Sequence, residues 1–552
     1  MNIKQLTVTI ISIFTSIIFT SYCYTKISWL PNYYEKIDSI VETKQLIIKD
    51  NPFHGKINLT RFNLIQSDYL PLYRSTGDHR NHQCKLKQYN STKLPTASVI
   101  IVFHNEQWST LLRTIKTLIN KSPDNLIEIL LIDDLSTTNS IKYHLKSYLI
   151  STLKNNKVKL VRSTSRIGLI SGRNYGASIA IGQIIVFLDS HVEVNSGWLE
   201  PLLDRLAQNR KRVVSPIVDL INPEDFSYHP VPENYMSGFT WSLTNFMIPL
   251  KASEIEKRKI DPTRVIKSPT TYGGIFAISK SFFLELGGHD SEMKFFSFES
   301  IDLSLWIWSC GGEIEIVPCS RLGHVHSPSS VTFPMKKETI YLHNSGRIVE
   351  IWLKKYRMFF YLLFPLVASV DRGNLYNRKS HQTKLECKNI TWYFETVYPS
   401  TPFPFAYRSI GQIEHTPTML CFHYSFSSDQ QSRFVNLKPC RLNHGNDLTY
   451  FRQIFIHTDI GTIRNDNWCL TGNVDYEQLT FTVCNSIDYS DSQIWIYSKK
   501  SQSINHKLTN RCIHLPINSN QPILHQCNTS ILEQKFFLRD NLDWDDGNRI
   551  IK

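Results

Sequence analysis

The sequence predicts a two-part protein, an α/β domain on a parallel sheet followed by an all-β domain of three repeated lobes. Between residues 97 and 188, near-continuous apolar runs alternate with helical spacing and end in polar residues, as strands buried on both faces do. Past residue 405, two cysteines followed by Gln-x-aromatic recur three times. The last apolar run closes as Phe187-Leu-Asp-Ser-His191, which puts Asp189 and His191 two positions apart at a strand end. Residues i and i+2 of a strand point the same way, so one carboxylate and one imidazole can share a divalent cation.

The chain has 552 residues, 41% hydrophobic and 20% charged, too long for one core and globular in composition. Its net charge of +13 comes from Lys and Arg scattered along the sequence. A solvated surface accounts for that charge, and without a recognisable motif no nucleic-acid partner is expected. Residues 1–5 read as a cytoplasmic tail. Residues 6–24 carry no charge and lie between Lys4 and Lys26, and nineteen residues can just cross a bilayer. The run is long for a signal-peptide core and no small-x-small site follows, so an uncleaved signal anchor is expected. One Lys on each side gives the positive-inside rule little to weigh. The sequons at Asn58, Asn90, Asn120, Asn389 and Asn528, with the cysteines below, argue for a lumenal body. Residues 25–94 lack sustained periodicity and read as a stem and lead-in.

The α/β domain is expected over residues 95–375. Its first strand begins at Ala97-Ser-Val-Ile-Ile-Val-Phe103, and residues 108–119 then show helical spacing through Leu111, Leu112, Ile115 and Leu118. A second strand, 127–132, ends at Asp133-Asp134, and a third, 183–188, ends at Asp189. Such a sheet binds ligands at its carboxyl ends, where a cation held against a diphosphate points to nucleotide-sugar chemistry. No GxGxxG follows the first strand, so a dinucleotide-binding domain loses its main support. Residues 376–404 read as a linker.

In the second domain, expected over residues 405–545, Cys421, Cys469 and Cys512 are followed by Cys440, Cys484 and Cys527. Each pair precedes Gln453-Ile-Phe455, Gln493-Ile-Trp495 or Gln534-Lys-Phe536, whose glutamines lie 40 and 41 residues apart. The repeat implies the disulfides Cys421 to Cys440, Cys469 to Cys484 and Cys512 to Cys527. A bridge closing a loop of about 15 residues contributes about 3 kcal/mol in the chain-entropy model. Of eleven cysteines, Cys23 lies in the anchor, and Cys84, Cys310, Cys319 and Cys387 remain for further pairing.

The repeat resembles the ricin-type β-trefoil lectin domain. Together with Ser98-Val-Ile-Ile-Val-Phe-His-Asn-Glu106, Trp108-Ser-Thr-Leu-Leu-Arg-Thr114, Phe187-Leu-Asp-Ser-His191, Gly197-Trp-Leu-Glu-Pro-Leu-Leu203 and Gly323-His-Val325, it makes the chain after about residue 75 similar to the polypeptide N-acetylgalactosaminyltransferases. That resemblance implies a GT-A catalytic domain and a trefoil on a type II Golgi membrane anchor. It also implies a retaining, Mn2+-dependent transfer of GalNAc from UDP-GalNAc to Ser or Thr of acceptor proteins, the first step of mucin-type O-glycosylation. By position, Asp189, His191 and His324 would be metal ligands and Glu299 the sugar-contacting catalytic carboxylate. Asp134, Arg166, Ser190, Gly273, Gly274 and Phe296 would bind the donor. Asp133 competes with Asp134 for that role, Asp134 then being a helix cap. His326 is a ligand candidate by residue type, where the family has an aromatic. Resemblance further suggests Cys84 with Cys319 and Cys310 with Cys387.

Departures from the family pattern cluster at the donor site. Trp-Gly-Gly-Glu-Asn reads Phe296-Ser-Phe-Glu-Ser300, the arginine after His-Val-Phe is replaced by Ser327, and 328–331 is one residue short and lacks a tyrosine. One lost charge-assisted hydrogen bond is worth about 1.5–3 kcal/mol, or roughly tenfold to a hundredfold in rate. A catalytically silent member, binding or regulating glycoprotein clients, is therefore the alternative to an enzyme. In the trefoil the sugar-gripping aspartates are replaced by His423, Thr471 and His514, which argues against carbohydrate binding there.

Overall fold

The computed structural model describes residues 63–539 apart from 154, 327–332, 405, 427–432, 441–449, 476 and 485–490. The expected anchor at 6–24, the Asn58 sequon, Ser327 and the 328–331 loop therefore lie outside the described residues. Among the described residues no helix is long and apolar enough to cross a membrane.

The apolar runs form β1 (Ala97–Phe103), β2 (Leu126–Asp133) and, after a short strand β3 (Val158–Arg162), β4 (Ile184–Leu188). β1 lies between β2 and β4 with both pairings parallel, and β3 extends the sheet beyond β2. Alternate residues feed two cores. Ile100, Val102, Leu130, Ile132, Ile185 and Phe187 face one, while Val99, Ile101, Ile129, Leu131, Val186 and Leu188 face the other. Burial on both faces is why these strands read as unbroken apolar runs. The sequence reading missed β3 because an edge strand carries charge: it reads Val-Lys-Leu-Val-Arg, and its Lys159 reaches Glu128 at 2.8 Å.

The expected all-parallel sheet is in fact mixed. Beyond β4 the chain adds β5 (Val192–Val194), β6 (Arg212–Ile221), β7 (Tyr228–His229), β8 (Tyr235–Phe239), β9 (Asn245–Pro249), β10 (Ile266–Lys267), β11 (Phe276–Ser279) and β12 (Glu313–Val325). β11 enters antiparallel between β4 and β6, β12 runs parallel to β6, and β8 pairs with β9 in a separate ribbon. A three-residue pairing of β12 with β5 sets His324 opposite Val192. That pairing joins residues 128 to 132 positions apart in sequence and carries β12 to the end of β4.

The segment expected as a linker, 376–404, is part of the first domain's core. It forms the helix Tyr376–Lys384 and a further helical turn at Tyr393–Val397, with Tyr393, Phe394, Tyr398 and Phe403 in the main apolar cluster. Tyr393 and Tyr398 donate their hydroxyls to the carbonyls of Pro269 and Phe239 at 2.9 and 3.0 Å. Short aromatic stretches without clear periodicity read as a linker from sequence, whereas tertiary contacts decide their burial. The lead-in is likewise docked from residue 63 onward: buried Arg113 donates to the Ser67 carbonyl at 2.8 Å, and Cys84 is bonded to Cys319. Cys310 is bonded to Cys387.

The second domain is all β, with disulfides Cys421–Cys440, Cys469–Cys484 and Cys512–Cys527. Phe455, Trp495 and Phe536 enter one shared apolar core. The structure also explains the three glutamines. The amide nitrogens of Gln453, Gln493 and Gln534 donate to the carbonyls of Pro439, Val483 and Gln526 at 3.0, 3.1 and 2.8 Å, each the residue before its lobe's second cysteine. One buried amide thus ties the aromatic strand of each lobe to the disulfide, and the carbonyl satisfies a glutamine side chain that burial would otherwise orphan.

The two domains meet at Asp466, whose carboxylate accepts the Trp241 backbone N–H at 3.0 Å while Trp468 packs edge-on against Phe246. Burial pushes the Asp466 carboxyl up to about 7, against the lowering effects of the Trp241 N–H and Arg464. The folded protein therefore binds a proton more tightly than the unfolded chain does. The associated stability is fully present below the ordinary 3.8 and is lost as pH rises through about 7. Asp466→Asn, which keeps an acceptor, is expected to remove that part of the slope, at most about 1.4 kcal/mol per pH unit. Melting curves of both proteins between pH 5 and 8 check this: parallel pH dependences would place the titration elsewhere.

Candidate active site

At the carboxyl end of β4 the chain leaves the sheet, and Asp189, Ser190 and His191 form a turn before β5. The expected strand periodicity does not unite the two ligand candidates. The turn does, and β12 brings His324 beside them. Donor atoms of Asp189, His191 and His324 all lie within 4.8 Å of one another. His324 Nε2 is 3.1 Å from Asp189 Oδ2, and the two imidazoles stand edge to face with centroids 4.8 Å apart.

Two residues that the sequence reading gave no role hold this cluster. Buried Glu106, just past the end of β1, accepts from Ser190 Oγ at 2.5 Å and faces His191 Nδ1 at 2.9 Å through the same oxygen. Arg173, on the helix Gly168–Ile179, is fully buried. Its guanidinium lies 3.1 Å from Glu299 and 3.6 Å from Asp189, and donates to the Gly274 carbonyl at 3.3 Å. Glu106 lay within a quoted motif; Arg173 followed Arg166 by seven positions, where only the fold shows that it turns inward.

Burial raises the Asp189 carboxyl, but the His324 hydrogen bond and the charges of His324, His191 and Arg173 outweigh it and hold it below the usual carboxylate range. Burial also pushes His324 down, towards the neutral form. Arg173 is the permanent cation beside Asp189. A carboxylate with two neighbouring imidazoles, each offering a lone pair in its neutral form, suits a divalent cation.

The remaining candidates divide. Asp134 accepts the N–H groups of Ile167 and Gly168 at 2.6 and 3.1 Å and Arg166 Nε at 3.0 Å, so its carboxylate anchors the start of the helix that carries Arg173. Asp133 caps its own turn through Ser136 N at 2.8 Å. Ser190 is committed to Glu106. Gly274 lies so close to Arg173 that a Cβ would strike the guanidinium, whereas Gly273, at φ +57°, faces open space. Glu299 is buried at the head of the helix Glu299–Ser309 and paired with Arg173.

Before Glu299, Ser297 and Phe298 hold left-handed backbone at φ 82° and 67°, a conformation that costs a non-glycine residue about 1–3 kcal/mol. Asn344 braces it: its amide nitrogen, sharing two hydrogens, lies 2.9, 2.8 and 3.2 Å from the carbonyls of Lys294, Phe296 and Ser297. Phe296 stacks on Phe333 with centroids 4.3 Å apart and meets Tyr341 edge-on. In the trefoil, His423 is buried against Ser425 at 3.0 Å, Thr471 bonds Thr482 at 2.7 Å, and His514 lies against His525 with centroids 5.0 Å apart.

Residues 98–287 match glycosyl transferase family 2, and residues 409–536 match the ricin-type beta-trefoil lectin domain. Polypeptide N-acetylgalactosaminyltransferase 13 of Rattus norvegicus is 39% identical over 429 residues, 77% of this chain and 75% of its own. The chain belongs to the polypeptide N-acetylgalactosaminyltransferase family. Polypeptide N-acetylgalactosaminyltransferase 14 of Homo sapiens is 33% identical over 504 residues, covering 90% of this transferase and 88% of its own length. The crystal structure of GalNAc-T7 with UDP, GalNAc and Mn2+ superimposes with a TM-score of 0.60 at 31% identity, covering 87% of this chain and 88% of that one. The architecture is thus a GT-A glycosyltransferase domain with a mixed sheet, followed by a ricin-type trefoil.

Proposed function

We propose that this transferase moves GalNAc from UDP-GalNAc to Ser or Thr of acceptor proteins, with Mn2+ and with retention of the sugar's configuration. The carrying observation is the convergence of Asp189, His191 and His324 at the carboxyl end of the sheet, in a chain related over most of its length to such transferases. These three residues would hold the cation, which when bound neutralises charge growing on the departing diphosphate.

The chain's own groups prepare that site. Glu106 fixes the orientation of His191. Arg173 lies between Asp189 and Glu299 and ties both to the Gly274 backbone, so that the ligand carboxylate and the sugar-facing carboxylate form one preorganised unit. Asp134 locks the helix start from which Arg173 projects. Phe296 offers an apolar wall beside the Glu299 turn. The five disulfides, and the exposure of Asn90, Asn120, Asn389 and Asn528, support a lumenal body in the secretory pathway. Together with the uncharged 6–24 run they support a Golgi type II membrane protein.

A catalytically silent role is the second reading, favoured by the Phe296–Phe333 stack and the strained Ser297-Phe298 pair, where the family has Trp-Gly-Gly. Transfer of labelled GalNAc to a Ser/Thr-rich peptide by the full-length protein decides between them. Mn2+-dependent, chelator-sensitive transfer is the expected result. Mn2+-dependent UDP binding without any transfer would establish the silent role.

A further inference from the structure

Each histidine of the cluster has one ring nitrogen committed away from Asp189. His191 Nδ1 meets Glu106 at 2.9 Å, and His324 Nδ1 meets His326 Nδ1 at 3.2 Å, while His324 Nε2 faces Asp189 at 3.1 Å. A metal-ligating histidine needs a partner for its other nitrogen, because that partner sets both tautomer and ring orientation. Glu106 supplies it for His191. At His324 the position is filled by His326, where the resembled family has an aromatic residue.

We propose that His326 is a positioning residue for the cation site, accepting the Nδ1–H of His324 so that His324 Nε2 keeps its lone pair for the metal. This rests on the metal reading of the site given above. Two neutral imidazoles that meet through Nδ1 atoms share one proton between those atoms. His326 Nδ1 also lies 3.3 Å from the His324 carbonyl. Without a cation, a proton on His326 Nδ1 would be donated to that carbonyl, and His324 would carry its own on Nε2, towards Asp189. Were a cation held at Nε2, the His324 proton would sit on Nδ1 and be donated to His326, whose own proton would then sit on its Nε2. Each ring keeps one proton throughout, so the exchange balances with no net charge change.

The test is Mn2+ affinity of the full-length protein in the presence of UDP, measured by calorimetry. His326→Phe, which restores an aromatic, is expected to weaken Mn2+ binding by roughly tenfold or more, as loss of an outer-shell partner does. His326→Asn, whose Oδ1 falls close to the Nδ1 position, is expected to retain most of the affinity, whereas His326→Gln, with its amide one bond farther out, is not. Wild-type affinity in His326→Phe, with Mn2+ binding abolished in Asp189→Ala, would overturn the positioning role and leave the metal site standing. Unchanged Mn2+ binding in Asp189→Ala would instead overturn the metal reading. If His326→Phe does not fold, equal affinities for the Asn and Gln variants overturn the proposal.

Discussion

Asp189→Ala is expected to abolish Mn2+-dependent UDP binding and to lower GalNAc transfer by roughly a thousandfold or more, since metal stabilisation of a departing diphosphate is worth several kcal/mol. Its side chain is 29% exposed, so the fold should survive the loss, and Arg173 retains Glu299 at 3.1 Å as a partner. Calorimetry with and without Mn2+ measures the first effect and a melting curve the second. A chelator added to the wild-type protein should reproduce the binding loss. Persistence of metal-dependent UDP binding in the variant would move the cation away from the end of β4.

Arg173→Met is expected to be the most destabilising single change at the site. The guanidinium is fully buried between two carboxylates and also lies 5.8 Å from the Phe187 ring centroid. Removing one partner of a buried ionic group leaves the others uncompensated, typically at about 3–5 kcal/mol. Asp189 and Glu299 would then repel each other. Stability should fall, and transfer should fall by roughly a hundredfold or more even where the protein remains folded. Arg173→Lys keeps the charge but not the planar fork that reaches both carboxylates and the Gly274 carbonyl, so it should lie between. A denaturant titration paired with initial rates separates the two losses. Wild-type rates in a folded Arg173→Met protein would exclude any part for this residue in ordering the site.

The departures at Phe296-Ser-Phe298 acquire physical meaning from the structure. Ser297 and Phe298 hold φ of 82° and 67°, a conformation that glycine adopts without strain. Here the Asn344 amide braces three carbonyls of the turn, so the backbone leading into Glu299 is held at the cost of strain. Sequence showed the substitution; the clamp sits 47 to 50 residues from the carbonyls it holds and could not be read from it.

What the sequence determined by itself was whatever short-range pattern controls. Strands buried on both faces have to be apolar at every position, so β1, β2 and β4 were legible, as was the helix Trp108–Lys121 from its spacing. The trefoil was legible because three lobes need the same disulfide and the same buried Gln-x-aromatic, and repetition exposes a constraint that one copy would hide. Motifs carried Asp189, His191 and His324 into view. Tertiary structure alone decided the rest. The edge strand β3 carries charge and hides its pairing, β11 runs antiparallel for reasons of chain return that no local residue records, and 376–404 is buried only because partners elsewhere cover its aromatics. The same holds at the site. A turn, not strand alternation, joins Asp189 to His191, and the β5–β12 pairing delivers His324. Arg173 and Glu106 matter because a buried charge has to find its counter-charge within a few ångströms in space, a condition that distance along the chain does not encode.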